Sequence, residues 1–258
     1  MKIVRFLVDG LTKYGVLENE TVHGYRGNPF SRPGETDFAP DGSVFGLSKV
    51  KLLVPCEPTK IVGLGLNYMP HIEESGFEKP QAPIIFMKPL TALIGPEEYI
   101  VKPKLPDRID YEGEVGVVIS KEAKDVSESQ AMEYVLGYTC VNDVSARYAQ
   151  KLDGQWTRGK GFNTFCPVGP CIETEGSPDD MKIETYLNGE LRQSSNTSNM
   201  IFGIKYLISF ISEVMTLYPG DLIVTGTPEG IGGMNAGDVV EIKMENVGIL
   251  RNYVRDKE

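Results

Sequence analysis

Cysteine is scarce in this chain. Four occur in 258 residues (Cys56, Cys140, Cys166, Cys171), and no two form a C-x-x-C pair. That spacing argues against a thiolate zinc site. With no export signal in view, it points to a reducing cytoplasm where thiols serve as small core residues. Histidine is scarcer still: His23 and His71 are the only two, so any imidazole chemistry rests on one of them. No apolar run approaches the length needed to cross a bilayer. The first nine residues, Met-Lys-Ile-Val-Arg-Phe-Leu-Val-Asp, are too charged for a secretory leader and alternate like a first strand. Basic charge is in deficit; the formal charge of −10 argues against nucleic acid as a partner, because phosphate binding needs cationic surface. Repeats and low-complexity segments are missing as well. What is present is an ordinary globular composition, 41% hydrophobic and 24% charged, in a length that suits one large domain with a small appendage.

Periodicity divides the chain unevenly. Residues 1–54 read as short strands (2–8, 14–17, 21–25) followed by a loop around Gly27, Asn28, Pro29, Pro33 and Gly34, and so as a small β-rich N-terminal subdomain. Residues 55–258 read as the main domain, with strands at 60–64, 83–88 (Lys88 read as its cap), 135–141, 221–225, 239–244 and 248–254. Residues 183–187 before Asn188-Gly189 predict a hairpin. Ser127 and Gln130 form a capping-box pattern that predicts a helix over 128–134. Apolar residues at 201, 204, 207, 208, 211, 214 and 215 form a helical stripe across 200–217. The expected class is α+β and β-rich, with a few helices outside.

The most informative stretch is 110–120, Asp-Tyr-Glu-Gly-Glu-Val-Gly-Val-Val-Ile-Ser. It alternates with period two, so Gly113, Val115, Val117 and Ile119 share one face while Glu112 and Glu114 share the other. Two carboxylates so close repel unless water or a cation lies between them. Either this is an exposed face with solvated glutamates, or it is two thirds of an oxygen-donor metal site. Elsewhere, His71 and Glu74 stand three apart on a short turn stopped by Gly76, either a surface pair or an imidazole oriented to activate water. Asp143 ends an apolar strand, where it can serve a turn or project into a site. Residues 154–161 nearly spell a phosphate loop, but Gly161 replaces the final Ser/Thr and no helix follows. Lys160 in that turn is placed to hold positive charge near a ligand. The 226–233 loop is either a mobile turn or a backbone-and-hydroxyl cover, with Thr227, for a carboxylate ligand.

Five segments occur in order: Gly-Leu-Asn-Tyr (65–68) with His71 three residues on, Tyr-Glu-Gly-Glu-Val (111–115), Asn-Asp-Val-Ser-Ala-Arg (142–147), Trp-Thr-Arg-Gly-Lys-Gly-Phe (156–162) and Thr-Gly-Thr-Pro-Glu-Gly-Ile-Gly (225–232). Together they resemble the fumarylacetoacetate hydrolase superfamily, from about residue 60 to residue 254. The resemblance implies a mixed β-roll fold, a homodimer and a divalent ion, usually Mg²⁺, sometimes Mn²⁺ or Ca²⁺. Carried onto matching positions, it implies Glu112, Glu114 and Asp143 as metal ligands. His71 and Glu74 become the water-activating pair and Lys160 the active-site lysine. Tyr68, Arg147, Gln150 and Thr227 become substrate contacts. Three carboxylates without Cys or His beside them suit a hard, oxygen-seeking ion.

The implied activity is hydrolysis of a carbon–carbon bond in a β-diketo acid of the acylpyruvate or fumarylpyruvate type, through a metal-bound enolate. Superfamily members also include decarboxylases, isomerases and dehydratases, so oxaloacetate or a 2-hydroxydienedioate of aromatic catabolism is an alternative substrate. A metal-stabilised binding protein without turnover is the alternative from another class. Met69-Pro70, Tyr148 and Asn163 depart from the usual family residues and leave substrate choice open. Gly65, Pro70 and Gly76 bracket a lid expected to move as a unit.

Overall fold

The computed structural model describes residues 1–30, 37–105 and 108–258; Pro33 and Gly34, read above as part of a loop, lie outside it. The architecture is α+β and dominated by strands. The largest sheet has 12 strands. Its long path runs Ala39–Gly46, Thr21–Arg26, Leu11–Glu18, Lys2–Val8, Cys166–Glu173, Val135–Asn142, Gly113–Ile119, Leu222–Val224, Ile61–Gly65, Ile84–Lys88. The pairing is mixed: Leu222–Val224 runs parallel to Ile61–Gly65, and most other neighbours are antiparallel. The N-terminal strands join the rest through Lys2↔Glu173 and Ile3↔Ile172. A five-stranded sheet, Glu190–Asn196, Lys182–Leu187, Val239–Met244, Gly248–Asp256 and Tyr99–Lys102, packs across the large one. The Asn188-Gly189 turn has both residues at positive φ, 53° and 78°, as a two-residue hairpin requires. Among the described residues no helix is long and apolar enough to cross a membrane.

The 110–120 stretch is two strands rather than one. Ile109–Tyr111 belongs to a small three-stranded sheet with Ser145–Ala146 and Gly232–Gly233, and Gly113–Ile119 enters the large sheet. Glu112 is the residue between them. Gly113–Ile119 is buried on both sides, which removes the solvated-face reading. Val115, Val117 and Ile119 join the core cluster that contains Ile183 and Ile242, whereas Val118 packs with Val141, Leu222 and Val224. Gly116 is needed for that closeness, since a Cβ there would lie 2.6 Å from Val141 Cγ2.

Among the described residues four α-helices sit outside the sheets: α1 (Met69–Ser75), α2 (Arg147–Asp153), α3 (Thr157–Lys160) and α4 (Ile204–Val214). Gly76 ends α1 in the left-handed region at φ 70°, as its position predicts. Two helical expectations shrink. Over 128–134 only a 3₁₀ turn forms, at Ala131–Tyr134. There the Ser127 hydroxyl donates to the Gln130 side chain instead of accepting a backbone N–H, so the capping box does not close. The 200–217 stripe becomes the shorter α4: at its start Asn67 captures the residues before the helix, and at its end Leu217 pairs with Ala123 through both backbone groups. Asn67 Oδ1 accepts the Phe202 N–H at 2.8 Å, and its carbonyl accepts the Ile201 N–H at 2.9 Å. Ile204, Leu207, Ile208 and Ile211 of the stripe are buried as expected.

Candidate active site

The strand-to-strand handover at Glu112 builds the centre of the site. The Glu112 N–H donates to Asn142 Oδ1 at 3.0 Å, and the Glu112 carbonyl accepts the Asp143 N–H at 2.8 Å. The register Gly113↔Asn142 therefore brings Asp143 beside Glu112, although 31 positions separate them in sequence. Glu114 follows one pleat on. All three carboxylates are buried (Glu112 4%, Glu114 1%, Asp143 0% exposed), and one oxygen from each lies within 4.8 Å of the others.

Cations surround this acidic floor unevenly. Lys160, at the end of α3, donates to Glu112 Oε2 at 2.7 Å and Asp143 Oδ2 at 2.5 Å. Lys88, at the end of Ile84–Lys88, pairs with Asp143 Oδ1. Arg147, which opens α2, pairs with Glu112 Oε1, donates to Asp110 Oδ2 at 2.7 Å, and reaches Gln150 Oε1 at 3.2 Å. Glu114 makes no ion pair among the described residues; its carboxylate accepts the Gly226 N–H at 2.5 Å.

Each titrating group records this balance. Burial, then the charges of Asp143 and Glu112, raises the Glu114 carboxyl well above the usual range, against the pull of Lys160 and Gly226. Burial also acts to raise Glu112, but Arg147 and Lys160 outweigh it and hold that carboxyl below the usual range. Burial acts to lower Lys160, yet Asp143 and Glu112 outweigh it and the ammonium is held above its ordinary value. A divalent cation between the three carboxylates would remove the repulsion that Glu114 meets. The donor set is all oxygen, as such an ion prefers, so these residues fit one.

The carboxylates floor a cavity of about 800 Å³. His71 is buried on its wall, with Nδ1 3.4 Å from Glu74 Oε2. Glu74 also accepts the Gly230 N–H at 3.1 Å, tying α1 to the 226–231 loop. His71, Glu74, Glu112, Glu114, Arg147, Gln150, Lys160 and Thr227 all line this one cavity, with Asp143 packed directly behind Lys160. Thr227 is there in a committed state: its hydroxyl donates to the Gly113 carbonyl at 3.0 Å and accepts from Gln193 Nε2 at 2.8 Å. Tyr68 is not part of the lining; it is 1% exposed, and burial followed by the Glu114 charge raises its hydroxyl. His23 stands on the N-terminal strand Thr21–Arg26 of the large sheet, outside the cavity lining, with Nε2 3.6 Å from Glu18 Oε2.

Two residues escape a reading by motif. Lys88 follows the apolar run Ile84-Ile85-Phe86-Met87 and looks like a solvated strand end, yet it is 2% exposed and holds Asp143. Asp110 is wholly buried between Arg108 and Arg147. The sequence signal for it is the period-two spacing of Asp110, Glu112 and Glu114, which holds across the junction between the two strands.

Fold and cleft together place the chain among enzymes that share a β-rich scaffold. The chain belongs to the fumarylacetoacetate hydrolase family: residues 60–255 match the model described as fumarylacetoacetate (FAA) hydrolase, C-terminal. Residues 1–55 match one described as Rv2993c-like, N-terminal. The 2,4-didehydro-3-deoxy-L-rhamnonate hydrolase of Sphingomonas sp. (strain SKA58) is 46% identical over 209 residues, 76% of this chain and 73% of that protein. The solved 5-carboxymethyl-2-hydroxymuconate delta-isomerase from Mycobacterium smegmatis is 41% identical, with 100% of both chains covered and a TM-score of 0.91. The maleylpyruvate hydrolase from Sphingobium sp. SYK-6, solved in complex with manganese(II) ion and pyruvate, is 28% identical, with 100% of both chains covered and a TM-score of 0.83. The family thus holds both hydrolases and isomerases.

Proposed function

We propose that this chain is a divalent-metal-dependent hydrolase that cleaves a carbon–carbon bond in a β-diketo acid of the acylpyruvate type. The observation that carries the reading is one cavity floored by three buried carboxylates within 4.8 Å and walled by a histidine–carboxylate pair. Glu112, Glu114 and Asp143 would hold the ion, Mg²⁺ or Mn²⁺, with Ca²⁺ a third choice. When bound, it supplies a Lewis acid for the chelating oxygens of a 2-oxo acid. His71 Nδ1 stands 3.4 Å from Glu74 Oε2; with the ring proton on Nδ1, the Nε2 lone pair would be free to take a proton from water in the cavity. That water adds to the distal carbonyl carbon. The carbon–carbon bond then breaks, with its electron pair left on the pyruvate fragment, which is reprotonated. Lys160 sets a buried positive charge beside the developing oxyanion. Arg147 and Gln150 form the wall along which the acid is oriented.

The full-length likeness to an isomerase supports a second reading, isomerisation or decarboxylation of a 2-oxo or 2-hydroxydienoic acid on the same residues. One screen separates them. Acetylpyruvate, fumarylpyruvate, oxaloacetate and a 2-hydroxydienedioate are offered with Mg²⁺ and again with EDTA. The expected outcome is metal-dependent cleavage of the first two. Loss of oxaloacetate or conversion of the dienedioate alone would replace the hydrolase with the second reading. Turnover of none would favour a binding protein.

A further inference from the structure

Strand Glu190–Asn196 forms one edge of the five-stranded sheet, and its burial is inverted. Leu191 is 53% exposed, whereas the one fully buried residue of the strand is an amide, Gln193, at 1%. A bulge causes this. Gln193 pairs with Thr185 and Leu191 with Tyr186, so Arg192 is an extra residue between them. Without it Leu191 and Gln193 would share a face; with it they point to opposite faces and Gln193 turns inward.

A buried amide is costly unless bonded, and both ends of this one are engaged. Oε1 accepts the Gly113 N–H at 3.0 Å. Nε2 donates to Thr227 Oγ1 at 2.8 Å and to the Pro228 carbonyl at 2.9 Å. The Thr227 hydroxyl donates on to the Gly113 carbonyl at 3.0 Å. These bonds close a ring: directly and through one hydroxyl, Gln193 grips both backbone groups of Gly113. That glycine stands between Glu112 and Glu114, where the chain leaves the small sheet for the large one. At this handover two consecutive backbone N–H groups go to side-chain amides, that of Glu112 to Asn142 and that of Gly113 to Gln193. Only glycine permits the approach, since a Cβ at 113 would lie 2.1 Å from Thr185 Oγ1 and 3.3 Å from Gln193 Oε1. The bulge also abuts the cover loop: a Cβ on Gly230 would lie 2.2 Å from the Arg192 carbonyl oxygen.

We propose that Gln193, aimed by the Arg192 bulge, is a positioning residue for the metal centre. By holding Gly113 it fixes the directions of the Glu112 and Glu114 carboxylates, and by holding Thr227 and Pro228 it sets the 226–231 loop above them. Gln193 is not part of the cavity lining, so it acts through these partners. The inference rests on the metal-end reading given under Proposed function. Packing of the sheet edge alone would make Gln193 matter for stability and leave the floor untouched.

The test is calorimetric Mn²⁺ titration beside urea unfolding of the metal-free protein, for the native chain, Gln193→Met and Asn252→Leu. Asn252 lies in Gly248–Asp256 of the same sheet, is 1% exposed, and donates to the carbonyls of Gly95 and Glu98. Each substitution removes a buried amide, so each should lower the urea midpoint. Gln193→Met alone should also weaken Mn²⁺ binding, by about tenfold to a hundredfold, the range for a group that orients metal ligands. Thr227 gives a second arm if Gln193→Met does not fold. Thr227→Val breaks the ring and should weaken Mn²⁺ in the same range, and Thr227→Ser, which keeps the hydroxyl, should restore it. Native Mn²⁺ affinity in Gln193→Met or in Thr227→Val, or an equal loss in Asn252→Leu, overturns the role of Gln193 and leaves the metal-end reading standing. No Mn²⁺ binding by the native chain removes that reading and this proposal with it.

Discussion

Lys88 shows how much one side chain can carry without a motif. Its ammonium is buried against Asp143, whose other oxygen is held by Lys160. Removing one partner of a buried pair leaves the other charge poorly compensated. Lys88→Met should therefore cost roughly 3–5 kcal/mol, read from the urea midpoint; an unchanged midpoint would show that Lys160 alone suffices for Asp143. The division of labour at the site is also a residue-scale matter. Glu114→Gln keeps shape but removes a ligand charge, so Mn²⁺ affinity and every metal-dependent activity should fall together. His71→Ala leaves the three carboxylates in place. It should keep Mn²⁺ binding while hydrolysis drops by about a hundred- to ten-thousand-fold, the loss expected for a general base. Calorimetry on both variants, beside their rates on acetylpyruvate, checks the assignment. Loss of Mn²⁺ binding in His71→Ala would reverse it. The residue types at 71, 112, 114, 143 and 160 were legible in sequence because each stands in a short recognisable segment. Lys88 was not, because an apolar run ending in lysine looks the same whether its tip meets water or a buried carboxylate.

At the scale of elements, α1 and the 226–231 loop meet over the cavity. The helix is short, begins beside Pro70 and ends at left-handed Gly76. What ties it to the loop is the contact of Glu74 with the Gly230 N–H. Short, partly exposed elements open at low cost. Oxalate with Mn²⁺ should slow amide exchange across 69–76, and equal protection with and without oxalate would count against a lid. The chain's single tryptophan offers a second readout. Trp156 lines the cavity and packs edge-on to Phe86 at 5.5 Å, so the same titration should change its fluorescence. Gly65 makes that packing possible, since a Cβ there would lie 2.2 Å from the indole. Element existence was mostly legible from periodicity, and element ends were not. The loss of the first turn of the 200–217 stripe was set by Asn67, a partner more than a hundred positions away.

For the whole molecule, the N-terminal strands are the open question. Residues 1–54 read as a separate β-rich unit, yet Val4, Phe6 and Val22 lie in the same core cluster as Val115 and Ile242, and Lys2–Val8 is hydrogen-bonded to Cys166–Glu173. Continuous core and sheet should melt together. Phe6→Ala removes a fully buried ring that packs on Phe45 at 5.6 Å. It should destabilise the protein by about 3–5 kcal/mol and shift one calorimetric transition; a new early transition confined to the N-terminal strands would mean that they unfold independently.

Sequence alone determined the β-rich class, the family and the chemical identity of the floor, because these depend on local alternation and on short segments whose order survives any folding. Tertiary structure decided the rest. It set whether Glu112 and Glu114 face water or a buried cleft, because the strand Gly113–Ile119 lies inside the large sheet and is buried at every residue, with Val118, on the same face as Glu114, packed beside Val141, Leu222 and Val224. It brought Asp143 beside Glu112 through a strand register that one residue of slip would undo. It also set which charges are matched, as Lys88 is with Asp143, since pairing depends on distances that only the packed chain defines.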